Sequence, residues 1–396
     1  LTNGSRSKVL LGLPLAIGQG VYEGLALLSS GCIEAVMIAP SPQNPPLAPA
    51  TNLQEPVKGN LAGEMHPLMI KTPYRFGKAE VLMGFQPPSD QETDLLINLL
   101  TLPALAPALE TPQTMFDPAN RSGVTMICSA GASESSTDQV FSGKAEIWQN
   151  GICLAAAPEL SFTTQIIQAV CEPLSAQPLL AEEASVKNGK PVRFPFIRGK
   201  EPEKQFSRLF EIQSTGLMRR LTHTRQLGVV LGLSGGADSS HALLVCCRAF
   251  DRLGLDRNNI LVIQMPGPGS SGTSRVRAAT LADLSGAVQR VIPIGPALAA
   301  HLADISHPQD KHDVTYENAQ ARERTQILMD IANQQNALLV GTGDLSEIAL
   351  GWSTFNGDHM SMYNVNCGLP KTLLLRLLVW SAGFLFGQPG ERIARE

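Results

Sequence analysis

An apolar run at residues 227–233 feeds directly into Gly232, Leu233, Ser234, Gly235, Gly236, Ala237, Asp238 and Ser239, and a helix-like segment follows at residues 240–253. A strand that ends in Ser-Gly-Gly-x-Asp-Ser and opens a helix makes a phosphate cradle. The glycines carry no Cβ, so backbone N–H groups can converge on an anion. The helix N-terminus adds its partial positive charge. Asp238 falls in the first helical turn, placed to hold a Mg²⁺ against the phosphates. No lysine follows the glycines, so this is not a Walker A loop. The competing reading is a Gly-rich strand-to-helix turn that binds nothing.

The surroundings of this loop alternate strand and helix. Residues 227–233, 260–265, 288–293 and 337–340 read as strands, and residues 239–253, 274–284 and 317–335 as helices. A helical segment at residues 201–221 leads into them. The alternation predicts an α/β doubly wound parallel sheet, in which ligands lie at the carboxyl ends of the strands. The phosphate loop and a second Gly-rich turn, Gly341-Thr342-Gly343-Asp344, both stand at such ends. Before residue 175 the pattern differs. Short strands at residues 9–16, 32–39, 95–100 and 123–128 are separated by Gly, Pro and Ser. Residues 40–56 read as a Pro-rich loop. Pro103, Pro107 and Pro112 argue against a helix at residues 102–112, and residues 177–199 read as a polar connector.

A length of 396 residues favours two domains. The net charge of −4 leaves no basic footprint for nucleic acid. Seven scattered cysteines with no CxxC spacing argue against zinc and for a reduced, cytoplasmic protein. Cys246 and Cys247 are adjacent and cannot form a normal local bridge. No charged-then-apolar leader opens the chain, and the apolar stretch at residues 377–387 is too short to span a bilayer, so no membrane partner is expected. The first residue is Leu1 rather than Met, as in a fragment or a processed product.

Four further segments accompany the loop: Tyr316-Glu-Asn-Ala-Gln-Ala-Arg322, Gly341-Thr-Gly-Asp-Leu-Ser-Glu347, Gly351-Trp-Ser-Thr-Phe355 and Tyr363-Asn-Val-Asn-Cys-Gly-Leu-Pro-Lys-Thr372. With the loop, and in this order over residues 206–380, they resemble the synthetase domain of glutamine-dependent NAD synthetases, whose loop is the pyrophosphatase-type P-loop of the adenine nucleotide hydrolase-like fold. The resemblance implies a two-step reaction: ATP and Mg²⁺ convert the nicotinate carboxylate of deamido-NAD to an adenylate, releasing pyrophosphate, and ammonia then displaces AMP to give NAD. It implies that residues 232–239 and Thr342 bind ATP, and that Asp238 and Glu347 share Mg²⁺. It further implies that Asn318, Glu347, Trp352, Ser353, Thr354, Phe355, Asp358 and Lys371 serve deamido-NAD. Plainer readings stand beside several of these: a turn residue for Thr342, a helix-start residue for Glu347, an N-cap for Asn318, a packed aromatic pair for Trp352 and Phe355, and a helix-start lysine for Lys371. Residues 266–272 are compatible with a lid over the ATP site or with an ordinary surface loop.

The first half resembles the nitrilase-like glutaminase domain of the same enzymes through residues 3–28, Ser129-Ala-Gly-Ala-Ser-Glu-Ser-Ser-Thr-Asp138 and Lys144-Ala-Glu-Ile-Trp-Gln-Asn-Gly151. Such domains release ammonia from glutamine with a Glu–Lys–Cys triad. The family's cysteine lies eight residues before a Pro-Pro-Ser; here Pro87-Pro-Ser89 puts Ala79 at that position. Ala39, Pro40 and Ser41 stand where the lysine belongs, the base falls upstream of Leu1, and Leu100 replaces the glutamine-binding serine. Cys128 could serve as another nucleophile, but it reads as a small buried hydrophobe. The expectation is therefore three segments: residues 1–175, a partial and inactive nitrilase-like α/β sandwich; residues 176–204, a linker; and residues 205–396, a C-terminally short synthetase domain fed by ammonia, with glutamine use doubtful. Family analogy implies a homo-oligomer. The alternatives are a non-catalytic nucleotide-binding relic and another ATP-pyrophosphatase-type amide ligase, such as a GMP-synthetase-like enzyme.

Overall fold

A computed structural model describes residues 8–17, 20–29, 32–38, 57–61, 64–69, 74–76, 79–84, 95–100, 104, 123–129, 131–135, 139–171, 197, 202–268, 272–308 and 310–396. The expected loops at 40–56 and 102–112, the connector at 177–199 and the middle of the 266–272 loop lie largely outside them. The chain divides into two compact units, the first drawn from within residues 1–188 and the second mainly Gly189–Glu396.

The first unit holds two sheets. One joins β1 (Lys8–Ile17), β2 (Gly20–Ser29), β3 (Cys32–Ile38), β4 (Val57–Leu61) and β5 (Glu64–Met69) in the order β1-β2-β3-β5-β4. The other joins β6 (Tyr74–Phe76), β7 (Ala79–Gly84), β8 (Leu95–Leu100), β9 (Val124–Ser129), β10 (Ala145–Gln149) and β11 (Ile152–Ala156) in the order β11-β10-β9-β8-β7-β6. All four strands expected here are present. β1 and β2 form a hairpin in which Ile17 pairs with Gly20. Parallel pairing of β7, β8 and β9 places Leu100 opposite Ser129. Among the described residues this unit has no α-helix. Cys128, read as buried, is exposed: it is the last residue but one of β9, whose buried residues are Val124, Thr125 and Ile127.

The second unit opens with α1 (Pro202–Thr224) and continues as β12 (Val229–Gly232), α2 (Ala237–Leu253), β13 (Ile260–Gln264), α3 (Gly272–Ser285), β14 (Val288–Val291), α4 (Gly295–Asp304), α5 (Val314–Gln334), β15 (Leu338–Gly341), α6 (Leu345–Leu350), β16 (Tyr363–Asn364) and α7 (Lys371–Arg395). Its five strands are all parallel, in the order β14-β13-β12-β15-β16. This is the doubly wound pattern: the chain builds outward from β12 to one edge, then crosses back to the other side. The crevice between β12 and β15 is the switch point where such sheets bind ligands.

The central strands are apolar runs because helices cover both their faces. Val229, Val230, Leu231, Leu339 and Val340 are buried, and Ile331 and Ala332 of α5 pack against Val230, Ile263 and Leu339. Helix α5 starts three residues before its expected position because Asp313 caps it, accepting from the N–H groups of Thr315 and Tyr316. By length and mean hydropathy α7 is the one described helix able to cross a bilayer. It instead buries Leu373, Leu374, Leu377, Leu378 and Ala382, packs on α1 and α2, and bends at Gly387, whose φ is 65°. Phe210 of α1 meets Trp380 edge-on, and Trp380 stacks on Phe384.

Candidate active site

The phosphate loop is pre-shaped by its own hydroxyls. Ser234 Oγ and Ser239 Oγ lie 3.0 Å apart, Gly236 N donates to Ser234 Oγ, and Ser239 Oγ donates to Gly236 O. Leu233 belongs to the core rather than the site: it is buried, and its N–H extends the ladder to Ile263 O. Gly235 has φ 81°, and a Cβ there would run into the backbone carbonyl of Ser274 in α3, so only glycine fits. Gly236 caps α2 without a side-chain hydrogen bond, which leaves the first-turn N–H groups of a 17-residue helix to an anion. A cavity of about 300 Å³ opens at this helix end, bounded by Gly235, Gly236, Ala237, Ser240 and Arg277 among others. Arg277 Nε is buried there with no hydrogen-bond partner among the described residues.

Asp238, Asp344 and Glu347 converge in the crevice, with one carboxylate oxygen of each within 4.8 Å of the others. Asp238 stands in the first turn of α2, which follows β12, whereas Asp344 and Glu347 stand at the start of α6, which follows β15. Asp344 is fully buried and forms a capping box with Glu347: Glu347 N donates to Asp344 Oδ1 at 2.9 Å, and Asp344 N donates to Glu347 Oε2 at 3.3 Å. Lys371, the first residue of α7, reaches Asp238 Oδ2 at 2.6 Å, Asp344 Oδ2 at 3.0 Å and Glu347 Oε1 at 3.9 Å. Burial works against the Lys371 ammonium, but its hydrogen bonds to Asp238 and Asp344 outweigh that and hold its pKa above the ordinary lysine value. Burial likewise opposes the Asp344 carboxylate, yet the Glu347 N–H and Lys371 bring its pKa below the usual range. Glu347 moves the other way: burial, then the negative charge of Asp238, push its carboxyl up. Asp238 Oδ1 is buried without a hydrogen-bond partner among the described residues. Three clustered carboxylates with an orphaned oxygen suit a small, hard divalent cation.

A second cluster follows α6, which ends in a left-handed Gly351. Thr354 Oγ1 donates to Asn318 Oδ1 at 2.9 Å, Thr354 N donates to Asp358 Oδ1 at 2.7 Å, and Arg322 Nε donates to Phe355 O at 3.1 Å. Asn318 is therefore not an N-cap; that place is taken by Asp313. Trp352 and Phe355 are 76% and 75% exposed, which rules out a packed aromatic pair. The expected residues thus form two groups. Gly232, residues 234–239, Glu347 and Lys371 gather around the crevice with Thr342, while Thr354 joins both Asn318 and Asp358, with Ser353 exposed beside them. Asp344 and Arg277 were not among the expected site residues. Asp344 stands inside a quoted segment but looks like a simple helix cap, and Arg277 sits in an unremarkable helix. Ala79 is the first residue of β7.

The second unit is thus a doubly wound α/β domain with a Gly-rich loop and a carboxylate cluster at the switch point of its parallel sheet. Residues 210–382 match the NAD synthase family model. A glutamine-dependent NAD(+) synthetase of Mycobacterium tuberculosis is 36% identical over 308 residues, covering 66% of this chain and 44% of that protein. One from Mycobacterium leprae is 35% identical, covering 63% and 42%. The chain thus spans less than half the length of these relatives. Among solved structures, the glutamine-dependent NAD+ synthetase of Acinetobacter baumannii in complex with ADP superposes with a TM-score of 0.71 at 19% identity, covering 97% of this chain and 69% of that one. That of Cytophaga hutchinsonii gives 0.75 at 19% identity, covering 98% and 70%. These two likenesses establish the fold.

Proposed function

We propose that this chain makes NAD from deamido-NAD, ATP and ammonia, releasing AMP and pyrophosphate. The observation that carries this reading is the meeting of Asp238, Asp344 and Glu347 beside the uncapped N-terminus of α2, within the segment that matches the NAD synthase family model. The serine-braced loop and the α2 N-terminus hold the ATP phosphates, and Arg277 adds a cation on the cavity side. Asp238 and Glu347, with Asp344, would hold Mg²⁺, which when bound neutralises charge on the departing pyrophosphate. The exposed Trp352 and Phe355 supply aromatic faces for the pyridine ring, on a loop that Asn318 and Asp358 hold in shape.

The nicotinate carboxylate oxygen bonds to the α-phosphorus as the bond to pyrophosphate breaks. Ammonia nitrogen then bonds to the acyl carbon, AMP leaves with the electron pair of the C–O bond, and a proton passes to solvent. Little acid–base chemistry is asked of the protein, so its contribution is positioning and electrostatics. Ammonia is the nitrogen source, because Ala79 has no thiol to attack glutamine. We further read the chain as cytoplasmic and homo-oligomeric; Cys128, Cys153, Cys171, Cys246 and Cys247 form no disulfide, as in a reducing compartment, and the exposed Trp352 and Phe355 suit a site completed by a second copy. Product analysis with ammonium and glutamine side by side tests the proposal: NAD is expected from ammonium alone. Efficient use of glutamine by the pure chain overturns the ammonia assignment, and no NAD from either source overturns the reaction.

A further inference from the structure

Asn366 joins the two halves of the crevice. Its side chain is fully buried just beyond β16. Nδ2 donates to the carbonyl of Asp238 at 3.0 Å and to the carbonyl of Thr342 at 2.9 Å. The first carbonyl belongs to the first turn of α2, the second to the turn after β15. One carboxamide therefore sets the spacing between the helix start carrying Asp238 and the start of α6 carrying Asp344 and Glu347. The neighbouring Asn364 adds to the clamp: it accepts from Asn366 N and donates to Gly343 O, both at 2.9 Å.

The orientation of this amide is fixed from behind. Asn366 Oδ1 accepts from Gln213 Nε2 at 3.3 Å, and the same nitrogen donates to Val365 O at 2.7 Å. Those two acceptors determine which end of the Gln213 amide is nitrogen, so Gln213 Oε1 faces His241 Nε2 at 3.0 Å as an acceptor. His241 is fully buried and also meets Ser381 Oγ at 3.4 Å. Gln213 lies on α1, His241 on α2 and Ser381 on α7. A chain of polar groups thus runs from three packed helices to the carbonyls of Asp238 and Thr342. Buried networks of this kind specify one geometry because every alternative leaves a group unpaired.

We infer that Asn366 is a positioning residue for the divalent cation and the nucleotide phosphates: it sets the distance between Asp238 and the Asp344–Glu347 pair, and Gln213 locks it in the donating orientation. This rests on the reading of the crevice as a cation and nucleotide site, but not on which acceptor is adenylated.

The direct test is Asn366→Asp in the full chain, with Mn²⁺ affinity measured by electron paramagnetic resonance in the presence of a non-hydrolysable ATP analogue. Aspartate keeps the shape and still accepts from Gln213, but it cannot donate to the two carbonyls. The expected result is at least a tenfold loss of Mn²⁺ affinity in a variant whose circular dichroism is unchanged. A folded variant with wild-type Mn²⁺ affinity overturns the inference. If Asn366→Asp does not fold, Gln213→Met decides. It leaves both carbonyl bonds possible but unlocks the amide, and about a threefold loss is expected; wild-type affinity in that variant overturns the inference equally. These readouts need no turnover. Failure of the wild type to make NAD, alongside weakened Mn²⁺ binding in the variant, would sink the proposed reaction and leave the role of Asn366 standing.

Discussion

Lys371 Nζ donates to Asp238 Oδ2 at 2.6 Å across 133 residues of chain, joining the first turn of α7 to the first turn of α2. The pairing puts an ammonium among three carboxylates that a divalent cation would otherwise neutralise, so lysine and cation share one task. Lys371→Met should lower the melting temperature of the metal-free protein. Added Mg²⁺ should then raise it by more than it raises the wild type, and kcat should fall at least tenfold. Thermal melts with and without Mg²⁺ check this; an equal Mg²⁺ effect in both proteins would contradict the shared role.

Glu347 should make cation binding sensitive to acid. Its carboxyl sits above the ordinary value of 4.5, so a proton competes for it at a pH where free glutamate is ionised. Affinity for Mn²⁺ should fall as pH drops through the window above 4.5. Glu347→Gln should bind Mn²⁺ more weakly at every pH and lose that dependence. The sign for folding is the reverse: a raised carboxyl is a cost to the fold once ionised, so the metal-free Glu347→Gln protein should be slightly more stable than wild type at pH 7. Mn²⁺ titrations and melts from pH 7.5 to pH 5 measure both effects.

Arg277 borders the cavity at the α2 N-terminus, with a buried Nε that has no hydrogen-bond partner among the described residues. Arg277→Ala should raise the KM for ATP roughly tenfold, in line with a charge-assisted hydrogen bond of about 1.5–3 kcal/mol. The KM for deamido-NAD should stay unchanged. Steady-state kinetics with each substrate varied in turn separates the two; an effect on deamido-NAD alone would remove Arg277 from the phosphate end of the site.

His241 should make the second unit sensitive to acid. Desolvation lowers its pKa from 6.5 to about 3, so the folded state holds the neutral ring. The stability this provides is complete above pH 6.5 and is lost as pH falls towards 3, at roughly 1.4 kcal/mol per pH unit, or about 2 kcal/mol at pH 5. Urea unfolding at pH 7 and pH 5 should show that loss in the wild type and a smaller one in His241→Gln.

The parts legible in the chain were those in which local sequence and chemistry coincide. The phosphate loop needs glycine at Gly235 for its backbone and Asp238 in the first turn, and both needs appear within eight residues. The parallel strands β12, β13 and β15 announced themselves as short apolar runs because both faces are buried. Asp344 was hidden because a helix-capping aspartate and a cation ligand have the same local pattern; only the approach of Lys371 and Asp238 from distant segments tells them apart. The plainer reading of Asn318, as an N-cap, gives way to Asp313, five residues earlier, which holds that place. Helices α4 and α6 are too short for a clear period, and the Gly387 bend and Pro389 concealed how far α7 runs. Asn366 gave no signal, since its role depends on two carbonyls that only folding brings together.

The most direct measurement is phosphorus NMR of a reaction containing ATP, Mg²⁺, deamido-NAD and ammonium, with NAD followed in parallel. AMP, pyrophosphate and NAD are expected in equal amounts, and all three should disappear in Asp238→Asn. Formation of ADP and inorganic phosphate, or nucleotide binding with no turnover, would contradict the assignment of this crevice as a site that splits ATP between its α- and β-phosphates.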